Sequence, residues 1–322
     1  MKPNSQDHRP DFIKKSEVHS HKHQHSQSKK NNPIKLFLLR WAHSNGYVSI
    51  PILAITMATY LTVGSYHFDW NYVAFLFFST LFLYPLHRLA GLRLTLPLEY
   101  SQAQKSVKKT PQIARTSLVI GFIGTTFFAF QLSKEIFQFL IPLGVISITY
   151  SLPLIPTQSG WKRLRDIPGI KIYAISIVVT LTTSTIPLLL LHQFGISDLI
   201  LLGFQRLLFI LAITIPFDVR DIRIDQKWSL KTIPILFGKE RALKLSIALL
   251  VIASLLTGIQ YLNTEILNIA VLLAILISHV WTIYILEKFK KYNAPLFNAY
   301  LLEGTMVFQF SVITIAQVLI SF

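Results

Sequence analysis

The chain has 322 residues, of which 52% are hydrophobic and only 14% are charged, and its mean hydropathy is +0.49. This composition excludes an ordinary soluble domain of this length and predicts a multi-pass membrane protein. The net charge of +16 suggests nucleic-acid binding as an alternative, and the lack of cysteine excludes disulfides and thiolate metal sites.

Residues 1–32 are rich in Lys, His, Ser, Asn and Gln and contain few large apolar side chains. This predicts a disordered basic tail ahead of a membrane domain at residues 33–322. Four histidines alternate with polar residues in the tail, at His19, His21, His23 and His25. Such a run can bind Ni²⁺, Cu²⁺ or Zn²⁺, but a flexible tail has no surrounding groups to orient the imidazoles, so we expect a solvated tail.

Residues 33–41 carry Lys35 and Arg40 among apolar side chains, which predicts a short helix in the membrane interface. Nine apolar runs near the ~20 residues needed to cross a bilayer follow it. They lie at residues 47–64, 71–87, 112–131, 135–153, 168–192, 198–217, 242–262, 265–286 and 296–321. Because strand-like alternation is absent, the sequence predicts an all-α polytopic bundle of about nine transmembrane helices.

The basic residues are distributed asymmetrically along the chain, and 29 of the 31 lie in five segments. These segments are residues 1–46, 88–115, 154–171, 218–244 and 287–294. With nine spans they form the N-terminal tail and every second loop, so the positive-inside rule predicts that they are cytoplasmic and that the C-terminus is external to the cell membrane. The basicity is therefore topological, and we expect no nucleic-acid partner.

The cytoplasmic loop after the fourth run is a candidate anion-binding segment. It holds four cations within ten residues, Lys162, Arg163, Arg165 and Lys171. Ordinary positive-inside charge is the alternative explanation for the loop alone. The binding role is favoured because the next long cytoplasmic loop carries carboxylates, and a Mg²⁺–diphosphate needs both charges.

Three aspartates follow the sixth run, at Asp218, Asp221 and Asp225. If the helix continues through them, they fall within an arc of roughly 60° and over about 10 Å of its axis. Clustered carboxylates repel unless a cation joins them, and such hard oxygen ligands suit Mg²⁺ carrying a phosphate. A solvated acidic helix end is the alternative, but interleaved cations favour a polyanionic ligand. Those cations are Arg220, Arg223, Lys227 and Lys231.

Two segments together resemble the UbiA superfamily of intramembrane prenyltransferases. The first is YSLP followed by WKRLRDIPGIK, within residues 150–171. The second, DVRDIRIDQKWSLKTIPILFG at residues 218–238, is similar to the family's second aspartate-rich motif, with Thr232, Pro234 and Gly238 as its trailing residues. The resemblance extends over about residues 34–322.

The resemblance implies a helical bundle around a central cavity, where Mg²⁺ holds a prenyl diphosphate. The metal helps the diphosphate leave as an allylic cation, which a lipophilic acceptor then traps. The family pattern implies metal ligands at Asp218, Asp221 and Asp225, with Asp221 also catalytic, and places Tyr150 in the cavity. The candidate diphosphate ligands are Lys162, Arg163, Arg165, Lys171 and Arg220.

The chain departs from the family pattern where the first aspartate-rich motif belongs, at the end of the second run. No aspartate lies between Asp69 and Asp166, and His87 and Arg88 stand where the carboxylates should begin, with Glu99 the only nearby acid. Two hypotheses follow. In one, the chain is a slow or unusual transferase in which Arg88 contacts the diphosphate. In the other, it is a catalytically degenerate relative that binds an isoprenoid or phosphorylated lipid without turnover.

Smaller departures affect both motifs, since Leu154 stands where a Lys is expected, Phe217 where Asn is common and Ser229 where Gly is common. Two charged residues also lie inside predicted spans, Arg206 and Glu303. An intramembrane ion is costly and therefore a functional-site hypothesis, and a structural salt bridge between the two is the alternative. A transporter is a third possibility. It is weaker because the span interiors otherwise carry almost no charge.

Overall fold

The structure is a computed structural model that describes residues 46–94, 111–158, 160–291 and 295–322. The predictions for the tail at residues 1–32 and the interfacial helix at residues 33–41 lie outside the described residues, as does Glu99.

Most of the described chain is helical. The α-helices are α1 (Gly46–Thr62), α2 (Trp70–Leu94), α3 (Pro111–Ala129), α4 (Lys134–Ser151), α5 (Lys171–Thr180), α6 (Ile186–Leu190), α7 (Ile196–Lys227), α8 (Ile233–Phe237), α9 (Lys239–Asn263), α10 (Ile269–Lys291) and α11 (Pro295–Ile320). The other elements are strands β1 (Ile155–Thr157) and β2 (Gly160–Lys162), a 3₁₀ turn (Leu164–Asp166) and a π turn (Leu181–Thr185).

Each of the nine predicted runs coincides with one helix or, for the fifth run, with α5, the π turn and α6 in succession. Within the described residues, seven helical stretches are long and apolar enough to cross a membrane, and α1 is apolar but shorter. Helix α4 has 18 residues and begins with Lys134 and Glu135. The multi-pass helical bundle is therefore confirmed, while the count of nine spans stays a prediction.

Several helices begin at polar residues that accept hydrogen bonds from backbone amides of the first turn. Asp69 accepts from Tyr72 at 2.9 Å, and Asn268 accepts from Val271 at 2.8 Å. A side-chain oxygen at this position satisfies an amide that has no partner within the helix. Since lipid offers no hydrogen bonds, such caps define where a transmembrane helix can start.

Helix α7 is the central helix of the bundle, because 67% of its most apolar stretch is buried, a larger share than in the other six candidate spans. Phe209 and Ile213 of α7 share one core cluster with Leu250 of α9, Val271 of α10 and Met306 of α11. The helix has 32 residues, so at ~1.5 Å per residue it exceeds the ~30 Å hydrocarbon core. Its last turns therefore extend past the apolar layer.

A two-stranded antiparallel hairpin interrupts the helical pattern between α4 and α5. Ile155 pairs with Lys162, and Thr157 pairs with Gly160. The all-α prediction is confirmed, and the hairpin gave no alternation signal in the sequence because strands of three residues are too short to show a period of two. Gly160 has a φ of 108°, a left-handed backbone that favours glycine, and Thr157 Oγ1 donates to its carbonyl at 2.6 Å.

The π turn between α5 and α6 releases two backbone carbonyls from the regular helical pattern. The carbonyl of Thr182 accepts from the Tyr72 hydroxyl at 2.6 Å, and that of Thr183 accepts from Thr59 Oγ1 at 2.7 Å. A π turn widens the helix by one residue, and such turns are frequent at functional sites. Here the two buried hydrogen bonds connect the fifth span to α1 and α2.

Candidate functional site

The last turns of α7 carry the three aspartates of the second motif. The helix continues through all of them and ends at Lys227, so the condition for placing the three on one face is met. Asp218 and Asp225 are each only 1% exposed. Because an ionised carboxylate is costly to bury without a partner, these two side chains need a nearby cation.

Lys171, the first residue of α5, supplies that cation. Its Nζ lies 2.9 Å from Asp218 Oδ1 and 2.9 Å from Asp225 Oδ2, and it also donates to Asp225 Oδ1 at 3.1 Å. The lysine is 7% exposed. Lys171 thus contacts both carboxylates at the same distance of 2.9 Å, and its alignment is better toward Asp225, to which it donates two hydrogen bonds.

Asp221 is engaged by its neighbour in sequence. Arg220 donates from Nε to Asp221 Oδ1 at 2.8 Å and from Nη2 to Oδ2 at 3.0 Å, a bidentate pair. The guanidinium also lies over the ring of Phe217, 5.1 Å from its centroid. The sequence predicted three aspartates on one face. The structure joins Asp218 and Asp225 through Lys171, and pairs Asp221 with Arg220.

The 3₁₀ turn brings Arg165 to the end of α2. Its guanidinium contacts His87 Nε2 and lies over the Tyr150 ring, 5.7 Å from its centroid, while the rings of His87 and Tyr150 are 5.4 Å apart. Burial disfavours the charge on Arg165, but Tyr150 and the carboxylates of Asp221 and Asp166 raise the pKa of this guanidinium above its ordinary value. Three residues that the sequence placed far apart thus form one cluster.

His87 has a buried ring nitrogen that accepts or donates no hydrogen bond within the described part of the chain, Nδ1. A buried polar atom without a partner is unusual and points to a missing ligand or water. Since Nε2 of the same ring contacts Arg165, the imidazole presents one occupied and one unoccupied nitrogen at the end of α2.

The two remaining loop cations differ in their surroundings. Lys162 lies on β2 and is exposed. Arg163 is buried and forms a bidentate pair with Asp166, with Nε 2.7 Å from Oδ2 and Nη2 2.8 Å from Oδ1. Arg163 therefore holds the 3₁₀ turn in shape, and the turn in turn positions Arg165.

Arg88 lies over the ring of Tyr84, with its guanidinium carbon 4.8 Å from the ring centroid. The Tyr84 hydroxyl donates to Glu303 Oε1 at 3.5 Å. The candidate salt bridge between Glu303 and Arg206 does not form, because Arg206 instead donates to Gln309 Oε1 and Thr59 Oγ1, at 3.1 Å each. The interpretation as an ion pair was therefore wrong, since Arg206 of α7 meets α11 at Gln309, six residues beyond Glu303.

The trailing residues of the second motif shape the turn between α7 and α9. Pro234 lies in the first turn of α8, where its missing amide costs no helical hydrogen bond. Gly238 ends α8 with a φ of 85°. Ser229 also has a positive φ, 52°, directly after the last residue that caps α7, Trp228. A left-handed residue at this position is most often glycine.

The donor chemistry fits a hard divalent cation in part. Oxygens of Asp218 and Asp225 converge on one point, and carboxylate oxygens are ligands that Mg²⁺ prefers. That point is taken by the Lys171 ammonium, and no group of three or more acidic or histidine side chains in the described ranges is arranged to hold a metal. A metal here would have to exchange with Lys171.

The bridging role of Lys171 was not predicted from the sequence, which placed it among the diphosphate ligands. Its buried position could have been suspected from the spacing, because Lys171 begins the apolar run of the fifth span while the other three loop cations precede Pro168. Sequence analysis gave no signal for the contact between Arg165 and His87.

No protein-family model and no curated protein sequence matches the chain. Solved structures do match. A UbiA homologue from Archaeoglobus fulgidus bound to GPP and Mg²⁺ is 17% identical with a TM-score of 0.53, over 86% of this chain and 99% of that one. The apo structure of a UbiA homologue from Aeropyrum pernix K1 is 13% identical with a TM-score of 0.56, over 86% of this chain and 98% of that one.

A third match is the structure of a digeranylgeranylglyceryl phosphate synthase, 14% identical with a TM-score of 0.52, over 87% of this chain and 98% of that one. Identities this low say nothing about individual side chains, but the agreement runs through nearly the whole of each solved chain. The chain therefore has the fold of the UbiA superfamily.

Proposed function

We propose that the chain binds a prenyl diphosphate at the cytoplasmic end of α7 and transfers its prenyl group to a lipophilic acceptor. The observation that carries the proposal is the buried group of Lys171, Asp218 and Asp225 beside the cluster of Arg165 and His87. Cations and carboxylates are brought together there at the end of the central helix, where a diphosphate could be held while its prenyl chain enters the bundle.

Mg²⁺ is the proposed cofactor, and Asp218 and Asp225 would hold it, with Asp221 as a further ligand once released from Arg220. The ion, when bound, would withdraw charge from the departing diphosphate. The A. fulgidus homologue of the same fold was solved with GPP and Mg²⁺, which supports this choice of ligand class.

The cations of this chain would perform most of the diphosphate binding. Lys171, displaced from the aspartates, can donate three N–H groups to phosphate oxygens, and Arg165 can donate from its planar guanidinium. Arg88 stands where the family carries carboxylates and would contact the diphosphate directly. Charge developing on the departing oxygens would thus meet fixed cations in a site that is largely shielded from water.

The other candidate residues have supporting roles in this proposal. Tyr150 presents its ring beside Arg165, and an aromatic face can stabilise an allylic cation. Arg163 positions the turn that carries Arg165, Arg220 orients Asp221, and the exposed Lys162 would attract the polyanion at the rim. With the basic segments cytoplasmic, the site would face the cytoplasm of a cell membrane, with the N-terminus cytoplasmic and the C-terminus external.

A second candidate function is binding of an isoprenoid or phosphorylated lipid without turnover. The specific observation in its favour is that Lys171 already satisfies Asp225 through two hydrogen bonds of 2.9 and 3.1 Å. With both carboxylates already in contact with Lys171, neighbouring cations such as Arg165 and Arg88 could bind an anionic lipid headgroup without a metal. The missing first motif removes the other half of the metal clamp that the family uses.

Purified full-length protein in nanodiscs, incubated with Mg²⁺, labelled prenyl diphosphates of several lengths and membrane lipid extract, tests both functions. Transfer of label to lipid that is lost in Asp221→Asn with Asp225→Asn, and kept in the charge-matched control Asp198→Asn, supports the transferase. Saturable binding of the labelled donor without transfer supports the second function. If the protein neither binds nor transfers any donor, both are excluded.

A further inference from the structure

A second polar site lies near the middle of α7, away from the three aspartates. It is a partly open cavity of about 40 Å³ around the half-buried Arg206. Arg206 lies twelve residues before Asp218, or roughly 18 Å along the helix axis at ~1.5 Å per residue. The cavity is therefore separate from the proposed diphosphate site. Its walls come from five helices and the π turn, with lining residues Thr59, Ser184, Gln205, Thr257, His279 and Gln309 among others.

The guanidinium of Arg206 has only neutral hydrogen-bond acceptors in the described part of the chain. Nη1 donates to Gln309 Oε1 and Nη2 donates to Thr59 Oγ1, both at 3.1 Å. None of the four ion pairs formed by described residues includes Arg206, and the cavity lining contains no Asp or Glu. Since a guanidinium carries five N–H donors, the others have no acceptor in the described structure.

The groups that hold Arg206 are themselves fixed. Thr59 Oγ1 donates to the Thr183 carbonyl in the π turn at 2.7 Å, so its lone pairs face the arginine. Gln205, beside Arg206, is held through Gln260 Oε1 at 2.8 Å and the Thr257 hydroxyl at 3.2 Å. The cationic wall is thus rigid and polar, because neighbouring helices determine the position of each side chain.

The charge on Arg206 requires a counter-charge that the described structure does not supply. A cation within the hydrocarbon layer is costly unless it is paired, and water solvates a charge without cancelling it. One probe-sized water occupies ~10–15 Å³ on the same measure, so a cavity of about 40 Å³ has room for an ion the size of chloride, nitrate or acetate. Because the cavity contains one cation and an otherwise neutral lining, it is complementary to an anion with a single negative charge.

We propose that this cavity is a binding site for a small monovalent anion, held by Arg206 and the polar side chains around it. The bound anion would neutralise Arg206 and link α1, α7, α10 and α11, from which Thr59, Arg206, His279 and Gln309 reach the cavity. Its main consequence is stability of the bundle, because a ligand bound only by the folded state raises the free energy of unfolding.

Detergent-purified full-length protein, exchanged into sodium gluconate at constant ionic strength, provides the test. Chloride, nitrate or acetate is titrated while thermal unfolding is followed, and ³⁶Cl⁻ binding is measured by equilibrium dialysis. We expect a saturable rise in Tm of roughly 4 °C or more and binding near one chloride per chain. Competition of nitrate and acetate against ³⁶Cl⁻ distinguishes inorganic from carboxylate occupants.

Arg206→Gln should abolish both the Tm rise and the ³⁶Cl⁻ binding. Lys244→Gln, which removes one positive charge from an exposed position of α9, should retain both. If Arg206→Gln does not fold, the parent alone remains decisive, because a protein that binds none of the three anions saturably overturns the proposal. An equal response of the Arg206→Gln and parent proteins overturns it as well.

Discussion

Lys171 and Asp218 form a buried ion pair of 2.9 Å that joins the first residue of α5 to the C-terminal turns of α7. The same ammonium reaches Asp225, seven residues or about two turns further along the helix, so a single lysine contacts two carboxylates. The group contains two buried carboxylates and one buried ammonium, so its net charge is negative. This imbalance supports the proposal that the site binds a further cation or a cation-carrying ligand.

Lys171→Met should destabilise the protein by about 3–5 kcal/mol, because it leaves two buried carboxylates without their partner. Adding Asp218→Asn and Asp225→Asn to the same variant should recover part of the loss, since the amides carry no charge. Thermal unfolding in detergent measures both effects.

Millimolar Mg²⁺ should stabilise the single variant Lys171→Met more than the parent, because the position between the two carboxylates is then available. A Mg²⁺ response equal to that of the parent would show that the two carboxylates do not form a metal site.

Mg²⁺ together with a diphosphate should raise the Tm of the parent protein. A ligand at a hundred times its Kd stabilises the folded state by ~2.7 kcal/mol. Asp221→Asn combined with Asp225→Asn should abolish the shift, whereas Asp198→Asn at the opposite end of α7 should keep it. A double variant that responds like the parent would exclude these carboxylates as the binding site.

The helices and their order could be predicted from the sequence because hydrophobic run length and basic-residue asymmetry are local signals. The spacing of Asp218, Asp221 and Asp225 was likewise readable, since it depends only on a continuous α7. The partners of these aspartates could not be predicted from the sequence. The packing of α5 against α7 brings Lys171 between two of them, while Arg220 pairs with the third.

Short-range contacts within the loop also could not be predicted from the sequence. Arg163 looked equivalent to Arg165 as a phosphate ligand, yet its bidentate contact with Asp166 makes it a structural residue. A difference of two positions around a 3₁₀ turn decides which guanidinium faces His87, and residue type alone carries no information on that choice.

Arg165→Ala should weaken diphosphate binding about 10–100-fold, the range expected for losing a hydrogen bond to a charged group. Arg88→Ala should lower prenyl transfer if Arg88 replaces the missing carboxylates as a contact to the leaving group. The exposed Arg241→Ala on α9 is the matched control and should bind and turn over normally. Binding is measured with labelled donor, and transfer with lipid extract. Transfer that is unchanged in Arg88→Ala would remove the substitute-contact hypothesis.

Ser229→Gly should stabilise the protein by about 0.5–1 kcal/mol. The residue has a φ of 52°, and a left-handed backbone costs a non-glycine residue ~1–2 kcal/mol, which exceeds the entropy that glycine loses on folding. Gln226→Gly, three residues earlier and inside α7, should instead destabilise by ~1 kcal/mol. Thermal unfolding of the two variants side by side gives opposite signs if the left-handed conformation is the cause, and the same sign if it is not.

The proposed topology depends on the distribution of basic residues, 29 of 31 of which lie in alternate segments. Reporter fusions after residues 100, 160 and 230 should therefore report the cytoplasm, and fusions after residue 194 and at Phe322 the external side. The proposed diphosphate site and its aspartates would then face the compartment where soluble prenyl diphosphates are present. A cytoplasmic reporter at Phe322 would contradict the nine-span arrangement, because one span more or fewer reverses the C-terminus. A cytoplasmic reporter after residue 194 would place both ends of α7 on one side, which a single straight helix of 32 residues cannot achieve.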